Sequence, residues 1–416
     1  MAAIRPAPAP AAGPEARPAR SALGQWNSAV TSYYVLAGAT ALLLVLGLVM
    51  VLSSSSVDSL AAGRSPYTTF LDQTKFALIG LPVLVVLARM PVRRLKALAW
   101  PALLAAVGFQ LLVFTPLGSS QGGNRNWVRL PGFQVQPSEI IKFALALWLG
   151  VVLARKLPLL HQWKHALVPA VPVAACAIGV VLLGHDLGTA IVLFLLVLGA
   201  LWISGVKFRM FLVPAMGVVA VTVPLVLLNA NRSGRIKAWL DPATADPGSL
   251  GITYQSTRGI YALGTGGWAG LGLGQSREKW SYLPEAHNDF VFAVIGEELG
   301  LLGTLLVLAL FALLGFAMVR VIRRHDDAFA RITTAAILFW VMGQALVNIG
   351  VVIGLLPVIG VPLPLVSAGG SALIMTMAAL GVVLAFARSE PGAAQALAAR
   401  PSVFRRSLAV LGRARG

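Results

Sequence analysis

A chain of 416 residues that is 57% hydrophobic and only 12% charged, with a mean hydropathy of +0.81, lies far outside the range of a soluble globular domain. Its single cysteine, Cys176, excludes an internal disulfide framework and any cysteine-rich metal centre. The formal charge of +18 would point a soluble protein towards nucleic acid, but here its distribution along the chain decides its meaning.

Residues 1–28 are rich in Ala, Pro and Arg and lack an apolar core, so they read as a disordered cytoplasmic tail and not a cleaved signal. From there, apolar runs of the ~20 residues that cross a bilayer recur to residue 388. The candidate spans are 33–53, 70–89, 97–116, 137–154, 166–183, 187–204, 210–229, 289–319, 332–353 and 371–387. The expected fold is thus an all-α polytopic membrane domain over residues 29–388 with about ten transmembrane helices, followed by a basic tail, 389–416. With both termini cytoplasmic, most of the 33 Lys and Arg fall on the cytoplasmic side, including Arg89, Arg93, Arg94, Lys96, Arg320, Arg323, Arg324 and Arg331. Of the 15 acids, only Glu15, Asp326, Asp327 and Glu390 do. The basic excess therefore serves topology and attraction to anionic membrane lipid, and no nucleic-acid partner is expected.

The cytoplasmic connections are short, whereas the outer segments 117–136, 230–288 (between spans seven and eight) and 354–370 are long. Long connections in a compact bundle are commonly functional. The first two carry Trp127, Trp239, Trp268, Trp280 and Tyr282, rings that favour the headgroup level, so both are placed against the outer membrane face. ALGTGGWAGLGLGQS, residues 262–276, departs from a phosphate-binding pattern and follows no strand; close backbone packing explains it better. Next to it, Arg277 and Lys279 bring cations to the outer surface, where a lipid phosphate could meet them.

Ionisable side chains inside spans are costly and so are candidate functional residues. Glu139 and Lys142 are three apart on one helix face and could neutralise each other. Asp186 opens span six, where a helix cap competes with a functional role. In KWSYLPEAHNDFVFAVIGEELG, residues 279–300, Glu285, His287 and Asp289 gather where loop becomes helix, and Glu297 and Glu298 follow inside it. A shielded Asp289 suits a general base, and Glu297 is expected to face the same cavity while Glu298 holds a neighbouring span. GLLPVIGVPLPLVSAGGSALI, residues 354–374, holds Pro357, Pro362 and Pro364 and cannot form a regular helix. Irregular backbone at membrane depth is tolerated against protein or a wet cavity, so this re-entrant loop is expected to line the cavity of Asp289.

In order, GGNRNWVRL, QPSEIIK, DLGTA, YQ before a Gly-rich loop, KWSYLPEAHNDFVFAVIGEELG and GLLPVIGVPLPLVSAGG resemble the signature segments of the SEDS family (shape, elongation, division and sporulation). The likeness covers residues 33–388, and YLPEAHNDF is more similar to the division branch than to the elongation branch, which tends towards LPEQHTDF. Gly184 and His185 before Asp186, and VSAGG for the commoner VSYGG, are departures.

The resemblance implies a peptidoglycan glycosyltransferase that polymerises lipid II at the outer face of the cytoplasmic membrane, at the division septum, beside a class B penicillin-binding protein and other divisome membrane proteins. It places the family's essential Asp on Asp289, its sensitive Trp on Trp127, its Glu and Lys on Glu139 and Lys142, and its Asp-Leu-Gly-Thr Asp on Asp186. Gln136, Gln255, Glu285, His287 and Ser367 fall in the same motifs as supporting residues, and Arg125, Lys142, Arg277 and Lys279 are the cations available for pyrophosphate. A divalent cation, Mg or Mn, near Asp289 stays open. A lipid II flippase, an elongation polymerase and a scaffold are the competing expectations.

Overall fold

The computed structural model describes residues 28–398 except 29, 122–123, 132, 212–215, 218–219, 221–222, 225–229, 241–253 and 281. Helices α1 (Thr31–Ala61), α2 (Thr68–Arg89) and α3 (Val92–Leu111) lead into an antiparallel sheet of β1 (Gly118–Gln121), β2 (Asn124–Leu130) and β3 (Phe133–Val135). Next come α4 (Pro137–Lys156), α5 (Trp163–Leu167), α6 (Ala170–Leu183) and α7 (Leu187–Ile203). After α8 (Ala230–Leu240) and α9 (Tyr254–Gly266), the chain closes with α10 (Val291–Arg324), α11 (Ala328–Val352), α12 (Gly370–Ser389) and α13 (Ala393–Ala398).

Seven of the ten expected spans are helices long and apolar enough to cross a membrane: α1, α2, α3 with its 3-10 extension, α5 with α6, α10, α11 and α12. The span expected at 187–204 is the shorter apolar helix α7, and that at 137–154 is the 20-residue α4. The segment 210–229 lies largely outside the described residues.

α4 is the centre of the bundle, packed by α3, α6, α7, α11 and α12. Its side chains are buried almost throughout, and Trp148 meets Trp100 edge-on at 5.4 Å. Pro137 sits in its first turn, where a missing N–H costs nothing. α2 and α12 cross closely enough that a Cβ on Gly381 would lie 2.6 Å from the Leu84 carbonyl oxygen, an approach that glycine permits.

Two features depart from the sequence expectation. Residues 118–135, expected only as a loop, pair as a sheet with Ser119 opposite Trp127 and Val128 opposite Val135. Buried Asn126 and Val128 alternate with half-exposed Trp127 and exposed Arg129, the period of a strand with one covered face. The span at 289–319 is also interrupted: Gly300 has φ 67° and ψ −163°, so α10 is a short helix to Leu299 and a long one from Leu301.

The groups freed by that break are bonded by the glycine-rich segment after α9. Leu271 and Gly272 N–H donate to the carbonyls of Glu297 and Glu298 at 2.9 and 3.0 Å, and Leu301 and Leu302 N–H donate to those of Gly267 and Trp268. A Cβ on Gly266 would lie 1.8 Å from the Gly296 oxygen, and one on Gly270 would lie 2.2 Å from that of Glu298. The glycines thus allow backbone to lie directly on backbone, which satisfies a helix break that bilayer would not. The first five residues of the glycine stretch, 262–266, are the end of α9 and not loop.

Candidate functional site

Asp289 lies in the turn just before α10, with Phe290 at the helix cap. The three carbonyls leading into that helix are each tied to a different group. Ala368 N–H donates to His287 O at 2.9 Å, Ser367 Oγ to Asn288 O at 2.6 Å, and Asn348 Nδ2 to Asp289 O at 2.7 Å. Ser367 and Ala368 end the proline-rich segment between α11 and α12, so this irregular backbone and the approach to α10 form one unit. A Cβ on Gly360, which has φ 77°, would lie 3.5 Å from Asp289 Oδ2, so the carboxylate sits against that same segment.

Two helices supply the side chains that hold the segment. Gln73 of α2 donates to Ser367 O and accepts from Gly369 N–H, both at 3.1 Å. On α11, Gln344 Nε2 donates to Pro362 O at 2.8 Å and Asn348 Nδ2 to Val361 O at 2.8 Å. Sequence reasoning missed Gln73, Gln344 and Asn348. The available signal was an amide pair four residues apart in an otherwise apolar span, which places both on one helix face.

Asp186 is buried and accepts from three donors. Thr189 N–H meets Oδ1 at 2.9 Å, while Asn126 Nδ2 and Gln136 Nε2 meet Oδ2 at 2.8 Å each. The carboxylate caps α7, but it also fastens β2 and the start of α4 to that cap, and Gln136 N–H reaches Ser371 Oγ of α12. Through Asn126 it fixes the strand that carries Trp127.

Glu139 and Lys142 form a buried pair at 2.8 Å, and Lys142 Nζ also donates to Gln344 Oε1 at 3.1 Å and lies over the Trp340 ring at 5.0 Å. Lys142 is therefore committed inside the bundle and is not a free cation for substrate, which corrects that expectation. Removing one partner of a buried pair strands the other charge, at about 3–5 kcal/mol, whereas removing both is far milder. Glu139→Gln alone is expected to lower the thermal unfolding midpoint of detergent-solubilised protein more than the double variant Glu139→Gln with Lys142→Met. A midpoint as low in the double variant as in the single one would refute the pairing.

Lys279 is corrected in the same way. It is 3% exposed and donates to Glu298 Oε1 at 2.9 Å and to Ser53 Oγ of α1 at 3.2 Å, so its charge is spent at the helix break and not presented at the surface. Glu297, expected in the cavity, is fully buried and accepts from Ser276 Oγ, Arg277 N–H and Glu278 N–H. Its expected direction assumed helix from Asp289 onward; because Asp289 lies in a turn, the helical angle between the two does not apply. Glu298, expected to hold a neighbouring span, accepts from Ser53 of α1 at 2.7 Å.

The other candidates lie outside these networks' centres. Arg125 and Arg277 are exposed, Arg125 donating to Thr115 O at 3.0 Å. Gln255 is half-buried at the start of α9, and Glu285, at φ 57°, accepts from Asn288 Nδ2. Burial pushes the Glu278 carboxyl above its usual range; Arg258, at 3.4 Å, opposes this, and Glu297 adds to it. Among the described residues no three His, Cys, Asp or Glu side chains converge as a metal-binding group.

At the opposite end, Lys96 pairs with Asp327 at 2.6 Å and Arg324 with Glu390 at 3.4 Å. His325 accepts from Asp327 N–H through Nδ1, which leaves Nε2 to donate to Ser389 Oγ at 3.0 Å, and burial lowers its pKa. These contacts fasten α3, α10, α11 and α12 to one another, away from the turn that carries Asp289.

Fold and site together define a polytopic helical membrane protein whose polar groups converge at one end around an irregular, proline-rich segment. The family model for FtsW, RodA and SpoVE, described as "Cell cycle protein", matches residues 34–391, and the chain belongs to that family. It is 40% identical over 397 residues to the probable peptidoglycan glycosyltransferase FtsW of Mycobacterium tuberculosis, covering 95% of this chain and 75% of that protein. It is 34% identical over 352 residues to the stage V sporulation protein E of Bacillus subtilis, covering 84% and 95%. Among solved structures, it is similar to a chain of a peptidoglycan synthase complex that coordinates polymerization and crosslinking, with TM-score 0.69, 29% identity and coverage of 86% and 98%. It is also similar to the rod shape determining protein RodA of Thermus thermophilus, with TM-score 0.64, 27% identity and coverage of 86% and 97%.

Proposed function

We propose that this chain polymerises lipid II into glycan strands at the outer face of the cytoplasmic membrane during septal wall synthesis, with Asp289 as general base. The observation that carries the reading is the setting of Asp289: a partly exposed carboxylate at a helix mouth, against irregular backbone, with the carbonyls of residues 287–289 fixed by named donors. In the reaction, the 4-hydroxyl of an acceptor GlcNAc attacks the anomeric carbon of a donor MurNAc. The new carbon–oxygen bond forms as the bond to undecaprenyl pyrophosphate breaks, the hydroxyl proton passes to Asp289, the pyrophosphate leaves with the electron pair, and the configuration inverts. One carboxylate suffices because the leaving group is a stabilised anion, unlike glycoside hydrolysis with its paired carboxylates.

Exposed Arg125 and Arg277 are the cations left to offset charge on the pyrophosphate once Lys142 and Lys279 are assigned to buried pairs. General-base catalysis contributes about 10²- to 10⁴-fold, so the positioning of two lipid-linked sugars carries much of the rate. With about ten spans, both termini are cytoplasmic and Asp289 faces outward; a class B penicillin-binding protein is the transpeptidase partner.

Polymerisation of purified lipid II by the purified protein, with and without its cognate transpeptidase, tests this. Glycan strands on a denaturing gel are the expected result. No glycan from the complex, together with transfer of labelled lipid II across vesicles, would replace polymerisation by translocation.

A further inference from the structure

One face of α11 carries Trp340, Gln344 and Asn348 at four-residue spacing, all nearly fully buried, with 2% exposure or less. Each amide makes bonds in more than one direction. Gln344 Oε1 accepts from Lys142 Nζ and from Trp340 Nε1, both at 3.1 Å, while its Nε2 donates to Pro362 O. One turn further, Asn348 Nδ2 uses both of its hydrogens, one on Val361 O and one on Asp289 O. The Asn348 side chain thus bridges the re-entrant segment and the residue to which the reaction assigns the base.

We infer that Gln344 and Asn348 are positioning residues for the glycosyl transfer, a ladder on α11 that fixes Asp289 and the re-entrant segment to the buried Glu139–Lys142 pair. This rests on Asp289 as the base. An amide carries out this role without charge: its two N–H groups are fixed in one plane and point in different directions, so one side chain sets the separation of two carbonyls. Within a span, an unmade bond leaves a buried acceptor unpaired, so the geometry has few alternatives. The ladder also gives the intramembrane ion pair a role without contact to substrate: Glu139 orients Lys142, Lys142 holds Gln344, and Gln344 holds Pro362 beside Val361. Small displacements of a reacting group are costly, and a shift of about 1 Å is worth up to ~10² in rate.

The test uses Asn348→Leu, which keeps the branched shape and removes both N–H donors, and Gln344→Met, which keeps a chain of similar length and removes the amide one turn away. Hydrogen exchange of the detergent-solubilised protein and the kinetics of polymerisation with its partner are measured on each, next to Asp289→Asn. For Asn348→Leu the expected result is faster exchange confined to residues 287–291 and 359–369, with kcat roughly tenfold lower or more and KM changed less than about threefold, the split that a displaced base predicts. Gln344→Met is expected to accelerate exchange in 359–369 and to lower kcat less. Should Asn348→Leu fail to fold, the same split in Gln344→Met carries the test. Unchanged exchange in both segments overturns the ladder. So does faster exchange with normal kcat in a background where Asp289→Asn abolishes activity. Full polymerisation by Asp289→Asn overturns the base assignment itself, and the ladder's role for that base falls with it.

Discussion

Asp289→Asn is expected to abolish polymerisation of purified lipid II while expression, membrane insertion and thermal unfolding stay at wild-type values. The carboxamide keeps the shape of the side chain, and the bonds that fix residues 287–289 run through main-chain carbonyls to Ala368, Ser367 and Asn348. None of those three bonds depends on the carboxylate. What is lost is the proton acceptor, and general-base removal costs about 10²- to 10⁴-fold, enough to take a slow polymerase below detection on a gel. Full-length glycan from this variant would refute the base assignment. The same variant separates polymerase from scaffold, since a protein that only recruits partners has no use for the carboxylate.

Seven of the ten span positions and the buried polar candidates were legible because each rests on a strong signal: apolar length for the spans, and charge in an apolar context for the candidates. The sheet was less legible. Its strands are short, and GSSQ has neither the β-branched residues nor the alternation that marks a strand. The helix break at Gly300 was hidden for a different reason. Glycine inside an apolar run is common in membrane helices, and only the packing of the broken turn against Gly266 at the end of α9 and Gly270 in the loop after it reveals a discontinuity. Two side chains lie elsewhere than the sequence suggests, for separate reasons. Glu297 was given to the cavity by a helical angle that does not apply across the turn at Asp289, and Lys279 was given to the surface because its partner, Glu298, is reached only once the loop folds back on the broken helix.

The amide ladder on α11 shows why charge alone is an incomplete guide to an intramembrane site. Neutral Gln and Asn raise no alarm in a hydropathy profile, yet they form direct bonds to the turn of Asp289 and its flanking segment, whereas charged Lys142 reaches them through Gln344. Charges mark where polarity is needed, and the amides set the distances.

The largest effect on stability is expected at the helix break. Lys279 and Glu298 are 3% and 0% exposed at the side chain, and the pair sits where the glycine segment, α1 and the broken α10 meet. Removing one partner strands a charge with no water to reach, at about 3–5 kcal/mol, so Lys279→Met or Glu298→Gln alone is expected to lower the unfolding midpoint by several degrees. The double variant removes both charges. Its new carboxamide would keep an acceptor for Ser53, and its new thioether chain would fill the space of the lysine stem, so most of the midpoint is expected to return. Activity should follow a different order. The short helix from Val291 to Leu299 begins at the turn of Asp289 and ends at the Lys279–Glu298 pair, so loosening that pair frees one end of the rod whose other end carries Asp289. Polymerisation is therefore expected to fall in both single variants at temperatures below their midpoints and to recover in the double one. Recovery of stability without recovery of rate would show that the charges themselves, and not the closed break, matter to the reaction. Wild-type midpoints in both single variants would show that the backbone bonds of the glycine segment close the break unaided.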